Sequence, residues 1–399
     1  MERAYKKLIA EQFSDHQQMV LLSGARQVGK TTLALSIDSN AVYFNWDDIN
    51  DREILLQGPQ AIAEAARLNQ LHAHRPVLIF DEIHKYGKWK PLIKGFYDKY
   101  KTQCAIFITG SARMDVYKKG GDSLMGRYFN YRLHPLSVLE VLQPEHKSSL
   151  IQPPQNVPSA LFEALLKWGG FPEPFLKKDQ RFFNRWSKLR EQQLLQEDIR
   201  ELTRVQELGQ FEILAVLLKN QAGQLTSYSK LAKKVRVSVD TIRRWMDILE
   251  SIYYCYSIRP WSKNITRSIL KEPKYYLWDW SQCVDEGARN ENFIASHLLK
   301  AVHYWTDSGI GDYGLYFLRD KEKREVDFLV TCNNKPWFIV EVKSSMDAPL
   351  SKNLAVFAEQ LQINLAFQVA INGDYIELDV FKQKRPVIVP AKTFLSQLV

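Results

Sequence analysis

Residues able to act on phosphates appear early in the chain. Gly24-Ala25-Arg26-Gln27-Val28-Gly29-Lys30-Thr31 reads G-x-x-x-x-G-K-T, the pattern of a phosphate-binding loop. Its glycines let the backbone curl so that successive N–H groups converge on phosphate oxygens. The residues expected to hold ATP are Gly24, Ala25, Arg26, Gln27, Val28, Gly29, Lys30, Thr31 and Thr32. Lys30 would reach the β- and γ-phosphates, and the Thr31 hydroxyl would ligate Mg2+. Further on, the apolar run Val77-Leu78-Ile79-Phe80 ends in Asp81-Glu82. Burying unpaired carboxylates is costly, so two acids ending such a run imply a task. Asp81 would hold Mg2+ through its waters, and Glu82 would orient and polarise the attacking water. Thr109 and Ser111, at the end of the run Cys104–Ile108, are both candidates to sense the γ-phosphate, and the spacing does not choose between them.

These residues need strands and helices in alternation. Met19–Leu22 reads as a buried strand leading into the loop, and Thr31–Leu35 opens a helix. Ala41–Asn45 is a second strand and Ala61–Leu71 is helix-like. Val77–Glu82, Cys104–Ile108 and Tyr128–Leu133 complete the strand set, and an amphipathic basic helix lies within residues 1–18. Strands alternating with helices predict a parallel sheet with its ligands at the strand C-terminal ends.

Composition sets the frame. The 399 residues exceed the size at which a single core keeps growing, so two or three domains are expected. At 45% hydrophobic and 25% charged residues, the composition is ordinary for a globular protein and argues against gross disorder. A net charge of +9 favours a polyanionic partner. Cys104, Cys255, Cys283 and Cys332 form no C-x-x-C pair, and the eight histidines have no metal-ligand spacing, which argues against a disulfide or zinc framework. No apolar run approaches membrane-spanning length, so a cytoplasmic protein without membrane association is expected.

The order of the phosphate loop, Asp81-Glu82, Thr109-Gly110-Ser111 and Leu124-Met125-Gly126-Arg127 resembles the AAA+ class of ATPases. Leu133-His134-Pro135-Leu136-Ser137 and Trp168-Gly169-Gly170-Phe171-Pro172-Glu173 resemble one bacterial and archaeal family, which joins such an ATPase to a winged helix and a nuclease-like domain. The resemblance implies an arginine that reaches a neighbouring subunit's nucleotide. Arg127 is the first candidate and Arg113 the second, so a homo-oligomer is expected through Arg127.

Residues 143–159, with Pro153-Pro154, read as a linker. Within 226–263, Tyr228–Val235 and Val239–Ser251 are helical, with Ser238 as the cap of the second. Ile242, Trp245, Met246 and Leu249 share one face of that helix. The arrangement resembles a helix-turn-helix, with Ile252–Ile258 as a wing strand and Arg236 where the turn often has Gly. Eight basic residues stand against three acidic ones in this stretch, which suits a DNA backbone. Thr241, Arg243 and Arg244 are the candidate DNA contacts.

The last stretch has a second chemistry. Strand Arg324–Val330 contains Asp327, and after a turn at Asn333-Asn334 the strand Trp337–Lys343 puts Glu341 and Lys343 on one face. One Asp followed by E-x-K in the next strand resembles the PD-(D/E)xK nuclease core. The resemblance implies Asp327 and Glu341 as Mg2+ ligands, Lys343 as the residue positioning or deprotonating water, and Glu291 completing the site from a helix at Asp285–Lys300.

The expected architecture is α/β: an AAA+-type P-loop parallel-sheet domain at 1–142, a linker at 143–159, a helical and winged-helix domain at 160–263, and an α/β PD-(D/E)xK nuclease-like domain at 264–399. The expected function is an ATP-hydrolysing, DNA-acting enzyme with a magnesium-dependent nuclease. The alternative is an ATP-dependent switch or scaffold whose nuclease-like domain binds without cutting. A small-molecule kinase fits poorly, since nothing after Asp81-Glu82 reads as an acceptor pocket.

Overall fold

A computed structural model describes residues 1–70, 74–110, 124–142, 150–198, 207–262 and 271–399. Two compact units are present, Met1–His134 and Pro135–Val399.

The first unit is built on five parallel strands: β1 (Met19–Gly24), β2 (Val42–Asn45), β3 (Val77–Asp81), β4 (Ala105–Gly110) and β5 (Tyr128–Leu133). Their order is β2-β3-β4-β1-β5. β1, β3 and β4 are buried along their whole length, as expected for strands covered on both faces. On one face Phe13, from helix Tyr5–Asp15, meets Phe107, and on the other Phe96, from helix Trp89–Tyr100, meets Phe80. The helix expected at Ala61–Leu71 is instead a pair, Ile49–Gln57 and Pro59–Ala65. Gly58, at φ 98, ends the first, and Pro59 takes the opening position of the second. β3 ends at Asp81, one residue short of the expected run, because Glu82 turns left-handed at φ 56.

The second unit begins with helices and ends in a sheet. Helices Ser159–Trp168, Pro172–Lys177, Gln180–Gln192, Leu208–Asn220, Tyr228–Val235 and Val239–Ser251 precede β6 (Cys255–Pro260) and β7 (Lys274–Leu277). Helix Glu286–Asp307, β8 (Tyr313–Arg319), β9 (Glu325–Cys332), β10 (Lys335–Ser345), helix Lys352–Leu361, β11 (Leu365–Asn372) and β12 (Val387–Pro390) follow. One seven-stranded sheet results, in the order β12-β11-β10-β9-β8-β6-β7. β8, β9 and β10 are antiparallel neighbours, whereas β10, β11 and β12 run parallel.

Two expected boundaries read differently here. The stretch 150–158, expected within a linker, is held down: Gln152 N–H donates to Gln397 O, Gln155 N–H donates to Ser396 Oγ, and Val157 is buried. Residues 143–149 of that linker lie outside the described residues. The boundary expected at 263/264 falls inside the β6–β7 pairing, and Tyr275, Leu277 and Cys283 share one core with Trp245 and Phe211. A hairpin whose two strands bury the same apolar cluster cannot be divided between domains.

Two motifs noted in the sequence are structural. Gly170 lies so close to Trp280 that a Cβ there would overlap the indole, and the Trp280 indole N–H donates to Leu165 O at 3.1 Å. Leu136 N–H donates to Gly170 O at 2.7 Å, while Lys300, fully buried, pairs with Glu140 and donates to Pro135 O at 3.1 Å. Beside that ion pair Val138 N–H donates to His297 Nε2 at 3.0 Å, so His297 carries its proton on Nδ1, toward Phe293 O at 2.8 Å.

This environment predicts a pH response. Burial pushes the His297 pKa down to about 3 from its ordinary 6.5. The unfolded chain therefore takes up a proton that the folded one refuses, and stability is lost as pH falls below 6.5. His297→Leu leaves the Val138 N–H without its acceptor and should cost about 1–3 kcal/mol at pH 7. Urea unfolding followed by tryptophan fluorescence should give a shallower pH slope between pH 7 and 5 for the variant than for the unsubstituted protein. Equal slopes would exclude His297 as the titrating group.

Candidate functional site

In the first unit the sheet brings three strands and the loop helix to one carboxylate. Asp81, buried at the end of β3, accepts from Thr31 Oγ1 on Oδ2 at 2.8 Å and from Tyr43 OH on the same oxygen at 2.7 Å. Thr109 Oγ1, from β4, donates to Oδ1. Strand alternation explains the convergence, since Tyr43, Asp81 and Thr109 share a sheet face while Phe44, Phe80 and Ile108 fill the opposite core. Thr109 is thus where a sensor was expected, whereas Ser111 and Arg113 lie outside the described residues. Tyr43 escaped the sequence reading because it sits in an apolar strand with no motif around it; its only signal was the period-two face it shares with Asn45.

The loop itself follows its pattern. A Cβ on Gly24 would meet Leu133 O at 2.5 Å, so only glycine allows β1 to end against β5 there. Gly29 caps the helix Lys30–Leu35 at φ 99. Lys30 is buried, with its ammonium donating to Gly24 O at 3.0 Å and Ala25 O at 2.9 Å. Ala25 and Val28 are buried in the loop, and Arg26, Gln27 and Thr32 complete the stretch expected to hold nucleotide. A Thr31 hydroxyl and an Asp81 carboxylate in contact beside this loop fit a Mg2+–nucleotide pair. Glu82 lies next to Asp81 with its carboxylate 3.6 Å from Lys85 Nζ and 3.7 Å from His84 Nε2. Arg127, at the opposite end of β5 from Leu133, pairs with Asp98 through Nε to Oδ1 at 2.8 Å and a second bond at 3.1 Å. That bidentate contact holds the Asp98 carboxyl below the usual range.

In the second unit, acids and lysines gather where β9 and β10 part. Asp327 Oδ2 accepts from Val342 N–H at 2.8 Å, while Lys343 Nζ pairs with Glu341 Oε1 at 2.8 Å. Glu341 is buried, and its Oε2 has no hydrogen-bond partner among the described residues. Burial pushes the Asp327 pKa well up, and the charges of Glu291 and Glu341 push it further. Glu291 is engaged elsewhere: it accepts from Tyr276 OH at 2.6 Å and Lys274 Nζ at 3.2 Å. Lys274 also reaches Glu325 at 2.7 Å. Burial works against its ammonium, yet Glu291, Asp327 and Glu325 hold its pKa above the ordinary lysine value. Lys274 and Tyr276 were not anticipated, because β7 is distant in sequence from the E-x-K strand, and Glu325, two residues before Asp327, was not read as part of the site. The orphaned Glu341 oxygen beside Asp327 fits a cation, but among the described residues no group of three or more His, Cys, Asp or Glu side chains stands close enough to hold one. Glu291 is therefore not brought into a three-carboxylate set.

The helix pair Tyr228–Val235 and Val239–Ser251 forms as expected. Arg236 adopts the left-handed turn at φ 63 that glycine usually supplies, and Ser238 caps the second helix through Thr241 N–H at 3.0 Å. Arg243 and Arg244 are exposed, Arg243 pairing with Asp240 at 2.9 Å.

Comparison with known proteins agrees with the first site. Residues 16–142 match a family model described as "AAA domain", while 159–284 and 286–394 match two models described as domains of unknown function. An uncharacterized protein of Mycobacterium tuberculosis is 23% identical over 360 residues, covering 86% of this chain and 74% of the relative. One from Methanocaldococcus jannaschii is 24% identical, covering 65% of this chain and 60% of the relative. Among solved structures, the Walker-type ATPase of Pyrococcus abyssi is 15% identical, with a TM-score of 0.45 over 71% of this chain and 94% of that one. AMPPCP-bound DnaA from Aquifex aeolicus is 11% identical, with a TM-score of 0.30 over 62% of this chain and 87% of that one. Those scores are too low to carry an argument. The matched segment and the parallel sheet define an AAA-type P-loop ATPase domain at the N-terminal end of this chain. Among the described residues no helix is long and apolar enough to cross a membrane.

Two substitutions test the loop and the adjacent acid. Lys30→Ala removes the cation expected to reach the phosphates and should abolish ATP binding in calorimetry. Glu82→Gln should retain binding but lose hydrolysis by about 100-fold or more, the range for a general base. Wild-type turnover by Glu82→Gln would remove Glu82 from the reaction.

Proposed function

We propose that the chain hydrolyses ATP as a homo-oligomer and acts on DNA, binding it through a winged-helix region and cleaving it at a magnesium-dependent nuclease site. The observation that carries the nuclease reading is Asp327 beside Glu341-x-Lys343 at the parting of two antiparallel strands. The order helix, three strands, helix, strand (Glu286–Asp307, β8, β9, β10, Lys352–Leu361, β11) supports it, because this is the layout of PD-(D/E)xK cores. Asp327 and Glu341 would hold the cation, Lys343 would position water, and Glu291, through Lys274, would set the charge of the site. DNA binding is supported by the bridge Leu225–Lys274 joining the hairpin β6–β7, which completes a winged-helix order around the two helices. Thr241, Arg243 and Arg244 would face the phosphate backbone.

Asp327→Ala and Lys343→Ala should each abolish cleavage of labelled DNA in Mg2+ or Mn2+ while ATPase activity persists. Arg243→Ala with Arg244→Ala should weaken DNA binding and reduce its salt slope by about 2. A second reading, an ATP-dependent switch or scaffold that binds without cutting, is favoured by the lysine already seated between Glu291 and Glu325. Wild-type protein that binds DNA but cuts no single-stranded, duplex or branched form would decide for it.

Arg127 acts in trans in this proposal, exchanging Asp98 for a neighbour's nucleotide. ATPase rate per molecule should then rise with protein concentration, and mixing Arg127→Ala with Lys30→Ala protein should restore part of the activity. A flat rate from nanomolar to micromolar protein would contradict it.

A further inference from the structure

The carboxylate of Asp81 has few positions left to offer. A carboxylate presents about four lone-pair sites. Thr31 and Tyr43 take both on Oδ2, and Thr109 takes one on Oδ1. The remaining site is the one from which a metal-bound water can be held, and its direction is set by whatever fixes the other oxygen. Thr31 cannot fix it alone, because its own hydroxyl is the expected metal ligand and its helix meets the sheet through the loop.

Tyr43 is different. It projects from β2, where its backbone is paired with Ile79, so Asp81 lies two residues further along the neighbouring strand on the same face. The phenol spans that diagonal. Phe44, the next residue, is stacked on Phe80 at 5.6 Å between ring centroids, which locks the strand from the opposite side. The phenol hydroxyl donates to Asp81 Oδ2 at 2.7 Å, and among the described residues no other side chain of β2 reaches that oxygen.

We infer that Tyr43 is a positioning residue for magnesium: its hydroxyl clamps Asp81 so that the last free carboxylate site faces the cation accompanying the nucleotide. The inference rests on the reading of Asp81 as the magnesium-holding carboxylate and adds a residue outside every motif of the loop and the acid pair. It makes a prediction that a merely structural tyrosine does not, because only the metal-dependent part of nucleotide binding should respond.

The experiment uses the full chain and a fluorescent, slowly hydrolysed ATP analogue, titrated in EDTA and again at stepped free Mg2+. Tyr43→Phe keeps the ring and the strand. Its affinity in EDTA should match the unsubstituted protein, while the free Mg2+ giving half-maximal tightening should rise about 10-fold, the lower end for losing a group that orients a metal-holding residue. An unchanged Mg2+ midpoint would overturn the inference, and so would an equal loss of affinity with and without Mg2+, which is the signature of a packing role. Asp81→Asn separates the two levels. If it shifts the midpoint and Tyr43→Phe does not, only the role of Tyr43 fails. If Asp81→Asn itself leaves the midpoint unmoved, the magnesium assignment of Asp81 fails and takes the inference with it.

Discussion

Everything in the first unit depends on one buried carboxylate being surrounded by donors from elements far apart in sequence. An ionised Asp81 inside a sheet would be costly without partners. Thr31, Tyr43 and Thr109 supply three hydroxyl groups. Only the order β2-β3-β4-β1-β5 puts β2 and β4 on either side of β3 with the loop helix above. The strand pairing is therefore also the means by which the phosphate loop is set against the acid.

The second unit solves the same problem with charges in place of hydroxyl groups. Lys300 and Glu140 neutralise each other in full burial, and the neutral His297 beside them accepts a backbone N–H that would otherwise go unpaired. Asp327 and three neighbouring carboxylates, Glu291, Glu325 and Glu341, share three cations, Lys274, Lys343 and Arg319. Removing one member of such a set leaves the rest uncompensated, which is why buried ion pairs are costlier to break than to replace. Within this set one oxygen of Glu341 is left without a hydrogen-bond partner among the described residues.

The phosphate loop, the acid pair and the helices Tyr228–Val235 and Val239–Ser251 were legible because each is local. Gly24, Gly29 and Lys30 act through backbone curvature within eight residues, and Ile242, Trp245, Met246 and Leu249 reveal their helix by spacing alone. The turn at Asn333-Asn334, with both residues at positive φ, was equally plain. Arg236 shows the limit of residue-type rules, since it adopts the left-handed conformation without being glycine. What sequence alone determined is thus the set of chemical groups and the elements that carry them. Tertiary structure decided which of those groups meet. Tyr43 on Asp81, Lys274 on Glu291 and Glu325, and Asp98 on Arg127 join residues 17 to 51 positions apart. No periodicity encodes such pairings. They follow from strand order and register, which the chain settles only when its apolar faces are buried together.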